Sequence, residues 1–213
     1  MDSEFWQAKW RANEIGFHQA EIHPLLTRLW PAIGVPPGGR VLVPLCGKSH
    51  DLIWLRHQGY EVVGFELSER AVTALFAEHE LTPERASWGD FQRYAVPGLT
   101  VYCGDFFAAV PATALLCDGF YDRAALIALA PPQRQPYVDA VQRWCAPAAR
   151  GLLITVEYPV GTITAPPFSL ATAEVSALYA GRFVLQERMR QRADVKGQAA
   201  LEVAYELVRA AVA

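Results

Sequence analysis

Apolar and polar residues follow two different periods in the chain beyond residue 39. Short apolar runs at 40–45 and 60–68 are each followed by a segment, 49–59 and 69–80, in which apolar residues recur at helical spacing. Strands that alternate with helices in this way usually pair in parallel, with helices covering both faces of the sheet. The pattern therefore predicts an α/β fold.

The same alternation continues through the middle of the chain. Residues 99–106 and 150–159 are predicted as strands, 119–129 as a strand that passes into a helix, and 132–145 as a helix. These segments extend the predicted sheet and its covering helices.

The N-terminal segment has a separate pattern. Trp6 and Trp10 are four residues apart and therefore share one face of a predicted helix. Val-Pro-Pro-Gly-Gly at 35–39 interrupts the chain before the first strand. These features predict a single domain, 1–213, in two parts: a helical extension or lid, 1–38, and a Rossmann-like core, 39–213.

The C-terminal segment also departs from the alternation of strands and helices. Residues 182–193 and 199–210 are joined by a turn that contains Gly197, and polar Glu202 and Glu206 alternate with apolar neighbours in the second run. This pattern predicts a terminal hairpin that is at least partly antiparallel. A helix over 199–210 is the alternative, because alanine and glutamate favour helices.

Composition and charge narrow the classes of function. The chain has 213 residues, of which 52% are apolar and 19% are charged, with a formal net charge of −3. This is a globular composition without a basic stripe, so no nucleic-acid partner is expected. No apolar run is long enough for a membrane span, and the acidic start lacks a signal-peptide core. We expect a cytoplasmic monomer.

The cysteines do not form a metal-binding pattern. Cys46, Cys103, Cys117 and Cys145 lie far apart in the sequence and form no Cys-x-x-Cys pair. Zinc sites built from cysteine and histidine need closely spaced ligands. The sequence therefore predicts reduced structural thiols and no metal site.

Gly-Lys-Ser at 47–49 first suggests a phosphate-binding loop. The first glycine of such a loop would fall at Leu42, inside the predicted strand, and Pro44 and Leu45 replace its flexible part. Only Gly47 remains of the three glycines in a dinucleotide fingerprint. The segment is therefore expected to bind neither a phosphate nor a pyrophosphate.

Glu66 ends the second predicted strand, about 20 residues after the first strand, where an acid can accept hydrogen bonds from ribose hydroxyls. An acid in this place without the glycines favours a nucleoside that carries no phosphate, of which S-adenosylmethionine is typical. An NAD-linked oxidoreductase is the alternative, because Glu66 suits its ribose equally well.

Several motifs resemble the thiopurine S-methyltransferase family. The core motifs are PLCGKS at 44–49, GFELSE at 64–69, YDRAALIAL at 121–129 and APPF at 165–168, and IGFH at 15–18 resembles the bacterial branch. The resemblance implies a class I methyltransferase fold. That fold is a Rossmann-like, seven-stranded, mostly parallel sheet with helices on both faces and a C-terminal antiparallel hairpin.

The resemblance also implies roles for particular residues. Cofactor contacts are expected at Trp10, Leu45, Glu66 and Arg123, with Gly104, Asp105 and Phe106 beside the adenine. Trp6 and Trp10 can cover the sulfonium, a cation that aromatic faces attract. Candidates on the acceptor side are Asp122, Arg123, Arg192, Phe17 and His18, and Pro166, Pro167 and Phe168 form a stiff loop nearby.

The implied activity is methyl transfer from S-adenosylmethionine to thiopurines and related small thiols, and also to selenium or tellurium compounds in detoxification. A thiopurine thiol ionises near neutral pH, so no dedicated base or metal is required. A non-catalytic module that only binds S-adenosylmethionine is a further alternative.

The chain departs from the family pattern in two places. Tyr121-Asp122-Arg123-Ala124 stands where mammalian members carry Trp-Asp-Arg-Gly, beside the expected site, and His50 stands where relatives often carry an apolar residue. Because of the first departure, the preference among acceptors stays open. His50 is expected on the surface of a helix.

Overall fold

A computed structural model describes residues 3–108 and 116–210 of the chain. Within these ranges helices and strands alternate, as the sequence predicts. The helices are α1 Ser3–Arg11, α2 Pro24–Ile33, α3 His50–His57, α4 Glu69–Glu78, α5 Pro131–Trp144 and α6 Thr172–Tyr179. The strands are β1 Arg40–Val43, β2 Glu61–Glu66, β3 Glu84–Trp88, β4 Phe91–Val96, β5 Leu99–Cys103, β6 Cys117–Arg123, β7 Cys145–Glu157, β8 Phe183–Val195 and β9 Gln198–Arg209.

The described strands form a nine-stranded sheet with the order β3-β4-β5-β2-β1-β6-β7-β9-β8. Neighbours from β5 to β7 pair in parallel, whereas the strands on either side pair antiparallel. The seven expected strands are the run from β5 to β8. The strand count differs because β3 and β4 add an antiparallel hairpin, and β3 is almost wholly exposed and therefore carries no apolar period.

The C-terminal hairpin is confirmed, and the helical alternative for 199–210 is wrong. Strands β8 and β9 pair antiparallel up to Val195 and Gln198, with Lys196 and Gly197 at positive φ in the turn between them. Val203 and Leu207 of β9 are fully buried in the sheet core. Burial on the sheet outweighs the modest helix propensity of alanine and glutamate in this segment.

The sheet separates two apolar cores. Successive residues of a strand point to opposite faces, and Leu152 and Leu153 accordingly belong to different cores. Helices α2, α3 and α4 contribute to one core, and α5 and α6 to the other. Because the strands from β5 to β7 run in parallel, their carboxyl ends lie at the same edge of the sheet. Ligands bind at this edge in open α/β sheets.

The segment after β6 differs from its predicted form. A helix is predicted to follow the strand directly, but only a short 3-10 turn, Leu126–Ala128, forms after a sharp bend. Ala124 lies in the bend with φ of 70°, in the left-handed region that disfavours residues with a Cβ. The alanine that departs from the family pattern is thus a strained position.

Replacing Ala124 with glycine is expected to stabilise the fold by about 0.5–1 kcal/mol. Relief of the left-handed strain, about 1–2 kcal/mol, is partly offset by the greater flexibility of glycine in the unfolded chain. Urea unfolding monitored by circular dichroism measures the difference. Ala125 is the matched control because its φ is −76°, so Ala125→Gly should destabilise. A loss of stability in Ala124→Gly would contradict the strain argument.

Candidate active site

A cavity of about 760 Å³ opens at the carboxyl edge of the parallel strands. Its wall comes from α1 and the loop after it, the turns after β1, β2 and β6, the end of β7, the loop that follows β7, and the tip of the C-terminal hairpin. A volume of this size is typical of small-molecule sites.

The turn after β1 brings the backbone into the cavity. Leu45 and Gly47 have φ of 47° and 55°, and the Cys46 N–H donates to the Phe65 carbonyl at 2.8 Å. A Cβ on Gly47 would lie 3.3 Å from the Trp10 ring. The turn is therefore left-handed and lies directly against the N-terminal helix.

Lys48 and Ser49 do not form a phosphate loop. The Ser49 side chain caps α3 by accepting from the Asp51 N–H at 3.2 Å. The Lys48 ammonium donates to Glu78 at 2.6 Å. Gly-Lys-Ser therefore leads into helix α3, and the Lys48 and Ser49 residues also line the cavity.

Glu66 lines the cavity although it is only 6% exposed. Its carboxylate accepts from the Gly47 N–H at 2.8 Å and from the Ser68 N–H at 2.7 Å. Burial raises the pKa of Glu66, and these backbone hydrogen bonds only partly oppose the shift. Each carboxylate oxygen retains one acceptor site, so the pair can receive two neighbouring hydroxyl groups.

Aromatic rings from the N-terminal segment form one wall of the cavity. The Phe17 ring lies between Trp6 and Trp10, 5.5 Å from each and nearly perpendicular to both. Trp10 is buried, whereas Trp6 and Phe17 are partly buried. The wall thus packs as one unit above the turn at Gly47.

Charged groups from β6 and β9 also line the cavity. Arg123 pairs with Ile154 of β7, Val156 of β7 pairs with Glu202 of β9, and all four residues line the cavity. Within residues 3–108 and 116–210 the Arg123 guanidinium makes no hydrogen bond or ion pair. It is therefore available to a ligand.

His18 also lines the cavity, next to His50. Burial, then the charges of Lys48 and His50, lower the pKa of His18, so its ring is neutral at pH 7. His50 is not on an open helix surface as expected. It is partly buried, and its Nδ1 lies 3.1 Å from His79 Nε2.

The loop at 164–168 closes the cavity beside the hairpin. The Lys196 ammonium donates to the carbonyls of Thr164 at 2.8 Å and Pro166 at 2.7 Å. The Phe168 N–H donates to the Ile127 carbonyl at 2.6 Å. These bonds fix the loop from two sides, and Pro166 and Pro167 line the cavity.

Asp122 lies outside the cavity, although it is expected on the acceptor side. Neighbouring side chains of a strand point to opposite faces, so Asp122 points away from the face of Arg123. It is fully buried and accepts from the Tyr137 hydroxyl at 2.7 Å and the Ala125 N–H at 3.2 Å. Asp122 therefore holds the bend after β6.

Four further candidates also lie away from the cavity wall. Arg192 is exposed and lines a separate surface depression beside Tyr158, whereas the main cavity takes its hairpin residues from Ala193 onward. The other three candidates, which follow β5, are Gly104, Asp105 and Phe106. The Gly104 N–H donates to the Glu66 carbonyl at 2.9 Å.

Asp122→Asn is expected to remove a pH dependence of stability. Burial raises the pKa of Asp122 from 3.8 to about 6, so the folded state binds this proton more tightly than the unfolded state. The tighter binding of this proton contributes about 2–3 kcal/mol to the free energy of unfolding. The contribution is complete below about pH 4 and is lost as the pH rises through about 6.

Urea unfolding between pH 4 and 8 measures this dependence. The asparagine variant should lose the slope between pH 4 and 6 and be at least as stable as the unaltered chain at pH 7. Asp90→Asn, at an exposed turn, is the control and should keep the slope. An unchanged slope in Asp122→Asn would contradict the assignment.

The cavity wall contains a polar pair that the sequence does not predict. Glu202 is expected only at a polar position of the hairpin, and His23 has no expected role. In the structure His23 Nε2 lies 3.0 Å from Glu202 Oε1, and both line the cavity. The pair joins positions 179 apart in sequence, so no local spacing signals it.

Metal and membrane features can be stated for the described ranges. There, no group of three or more His, Cys, Asp or Glu side chains can hold a metal ion. The four cysteines are free thiols. No helix in these ranges is long and apolar enough to cross a membrane.

Sequence comparison gives a consistent result over the whole chain. The family profile described as Thiopurine S-methyltransferase (TPMT) matches residues 1–212. A Pseudomonas fluorescens protein named Thiopurine S-methyltransferase is 46% identical, over 92% of this chain and 89% of that protein. A Bordetella pertussis protein of the same name is 45% identical, over 92% and 88%.

Solved structures show the same fold at low sequence identity. Burkholderia thailandensis 1,6-didemethyltoxoflavin-N1-methyltransferase, solved with its substrate and S-adenosylhomocysteine, has a TM-score of 0.68 at 16% identity, over 99% of this chain and 87% of that one. TehB from Haemophilus influenzae has a TM-score of 0.63 at 14% identity, over 97% and 66%. Both support the class I methyltransferase fold.

Proposed function

Because the chain belongs to the thiopurine S-methyltransferase family, we propose that its cavity binds S-adenosylmethionine beside a small aromatic thiol or thione and aligns the two for methyl transfer to sulfur. Family membership makes the chain an S-adenosylmethionine-dependent methyltransferase. It also sets aside the NAD-linked oxidoreductase.

One observation carries the proposal: the same cavity is lined by the Glu66 carboxylate and by the Arg123 guanidinium, which makes no hydrogen bond or ion pair within residues 3–108 and 116–210. The first group suits a ribose, and the second suits an anionic sulfur. Phe17 and the tryptophans of α1 cover the space near the turn at Gly47. The cavity therefore offers two differently charged ends under an aromatic cover.

The residues toward β2 would hold the cofactor. Glu66 would accept hydrogen bonds from the two ribose hydroxyls, and the left-handed turn from Leu45 to Gly47 would lie along the nucleoside. When bound, S-adenosylmethionine supplies a methyl group activated by the sulfonium. Trp6 and Trp10 would face that cation, with a gain of about 0.5–2 kcal/mol.

The residues toward β6 and β7 would hold the acceptor. Arg123 favours the anionic form of a thiol, since a nearby cation lowers the pKa of an acid. Phe17, His18 and Pro166 give this end an aromatic and apolar wall. A neutral His18 leaves Arg123 as the positive group that faces the sulfur.

The chain's contribution to the rate would then be mainly positional. Holding two reactants in line can contribute about 7–11 kcal/mol in favourable cases. The extension at 1–38 acts in this proposal as the cover that excludes water, because its aromatic rings close one side of the cavity.

A transfer screen with labelled S-adenosylmethionine tests the proposal. The panel contains thiopurines, aromatic thiols, selenite and tellurite. We expect the labelled methyl group on thiopurines or aromatic thiols. Transfer to selenite or tellurite would show that the range of methyl acceptors is wider. Binding of the cofactor with no transfer to any member would instead support a non-catalytic binding module.

A further inference from the structure

Glu202 and His23 form a hydrogen-bonded pair in the acceptor end of the cavity. The His23 Nδ1 accepts from the Leu25 N–H at 3.3 Å, since His23 caps α2. Its proton must therefore lie on Nε2, which donates to Glu202 Oε1 at 3.0 Å. This arrangement fixes both the tautomer of His23 and the position of the carboxylate.

The carboxylate of Glu202 is charged although its side chain is only 16% exposed. Burial raises the pKa of Glu202, but the hydrogen bonds from His23 and Gln191 bring it below its ordinary value. Gln191 donates to Oε2 at 2.9 Å. Each oxygen accepts one of these bonds and keeps one acceptor site for a ligand.

The cavity thus offers an anion and a cation to the acceptor. Glu202 and Arg123 lie on opposite sides of β7 and two positions apart along it, because Arg123 pairs with Ile154 and Glu202 pairs with Val156. A simple thiolate would pair with Arg123 and leave the remaining acceptor sites of Glu202 without a ligand donor. A heteroaromatic thione, with a ring N–H beside the C=S carbon, would present a group to each.

We propose that Glu202, held by His23, recognises heteroaromatic thiones through the ring N–H and takes that proton as the sulfur is methylated. The inference rests on the proposed function and narrows its acceptor class. A bond forms between sulfur and the methyl carbon while the sulfonium–methyl bond breaks. The N–H electron pair returns to the ring, and the proton passes to Glu202 and then to water.

The timing of the proton transfer follows from the acidity of the ring nitrogen. Before methylation the thione N–H is a weak acid, so Glu202 only accepts its hydrogen bond. Methylation places positive charge on the ring and makes the N–H strongly acidic. An ordinary carboxylate can then remove the proton, which is why a raised pKa is not required at Glu202.

Glu202→Gln tests the proposal with two acceptors, purine-6-thione and benzenethiol, which has no ring nitrogen. We expect kcat/KM for the thione to fall about 10- to 100-fold, the cost of a lost hydrogen bond to a charged group. The kcat/KM for benzenethiol should stay within threefold of its value in the unaltered chain. The ratio of the two does not depend on how much of the variant is folded.

A binding readout accompanies the kinetics. With S-adenosylhomocysteine present, calorimetry should show purine-6-thione binding weakened in Glu202→Gln, while binding of benzenethiol is unchanged. Glu206→Gln is the matched control, because Glu206 is a buried acid of β9 that pairs with Arg150 and Arg188 outside the cavity wall. Glu206→Gln should change neither the ratio of the two kcat/KM values nor the ratio of the two affinities.

Equal losses for both acceptors would overturn the proposal, because they indicate that Glu202 only supports the fold. Unchanged values for both would overturn it as well. Failure of the proposed function looks different, since the unaltered chain would then methylate neither acceptor.

Discussion

Glu66→Ala is expected to weaken the binding of S-adenosylhomocysteine about 100-fold or more. The carboxylate would accept two hydroxyl groups of the ribose, and a hydrogen bond to a charged group contributes about 1.5–3 kcal/mol. Removal of Glu66 also frees the Gly47 and Ser68 N–H groups, which it holds at 2.8 and 2.7 Å. The turn that lies along the nucleoside should therefore loosen.

Isothermal titration calorimetry measures this effect directly. Glu61→Ala is the control, because Glu61 is exposed at the other end of the same strand, β2, and its loss should leave the affinity unchanged. Circular dichroism checks that Glu66→Ala is folded. A folded variant with the affinity of the unaltered chain would contradict the assignment of Glu66.

Arg123→Met is expected to lower kcat/KM for thiols about 30- to 100-fold. Methionine keeps an unbranched side chain but removes the positive group that would face the sulfur, and a cation in a partly buried cavity interacts more strongly with an anion than one in water. The affinity for S-adenosylhomocysteine should change less than the turnover. This difference would place Arg123 chiefly on the acceptor side.

Arg192→Met is the matched control for Arg123→Met. Arg192 is exposed beside Tyr158 and not on the wall of the main cavity, so kcat/KM should change less than twofold. A large loss in Arg192→Met, with little change in Arg123→Met, would contradict the placement of the acceptor.

The parallel part of the fold was predictable because its signals are local. Strand β2 is a continuous apolar run that ends in an acid, and the segment 44–49 has a family-specific sequence. Strand β3 could not be found in this way. Its residues are almost all exposed, so it lacks the alternation that burial of one face produces.

The site was less predictable than the fold because it depends on contacts between distant segments. Asp122 and Arg123 are neighbours in a shared motif, yet strand geometry sends one into the core and the other to the cavity. The Glu202–His23 pair joins β9 to the start of α2. Only the folded chain shows that an ordinary glutamate lies in the cavity.

One measurement tests the central claim most directly: mass spectrometry of the products formed from purine-6-thione and S-adenosylmethionine. If the cavity aligns cofactor and acceptor as proposed, the product carries one methyl group on sulfur and forms in equal amount to S-adenosylhomocysteine. Glu66→Ala should lower the amounts of both products together. A methyl group on a ring nitrogen, or no transfer by a chain that binds the cofactor, would contradict the account.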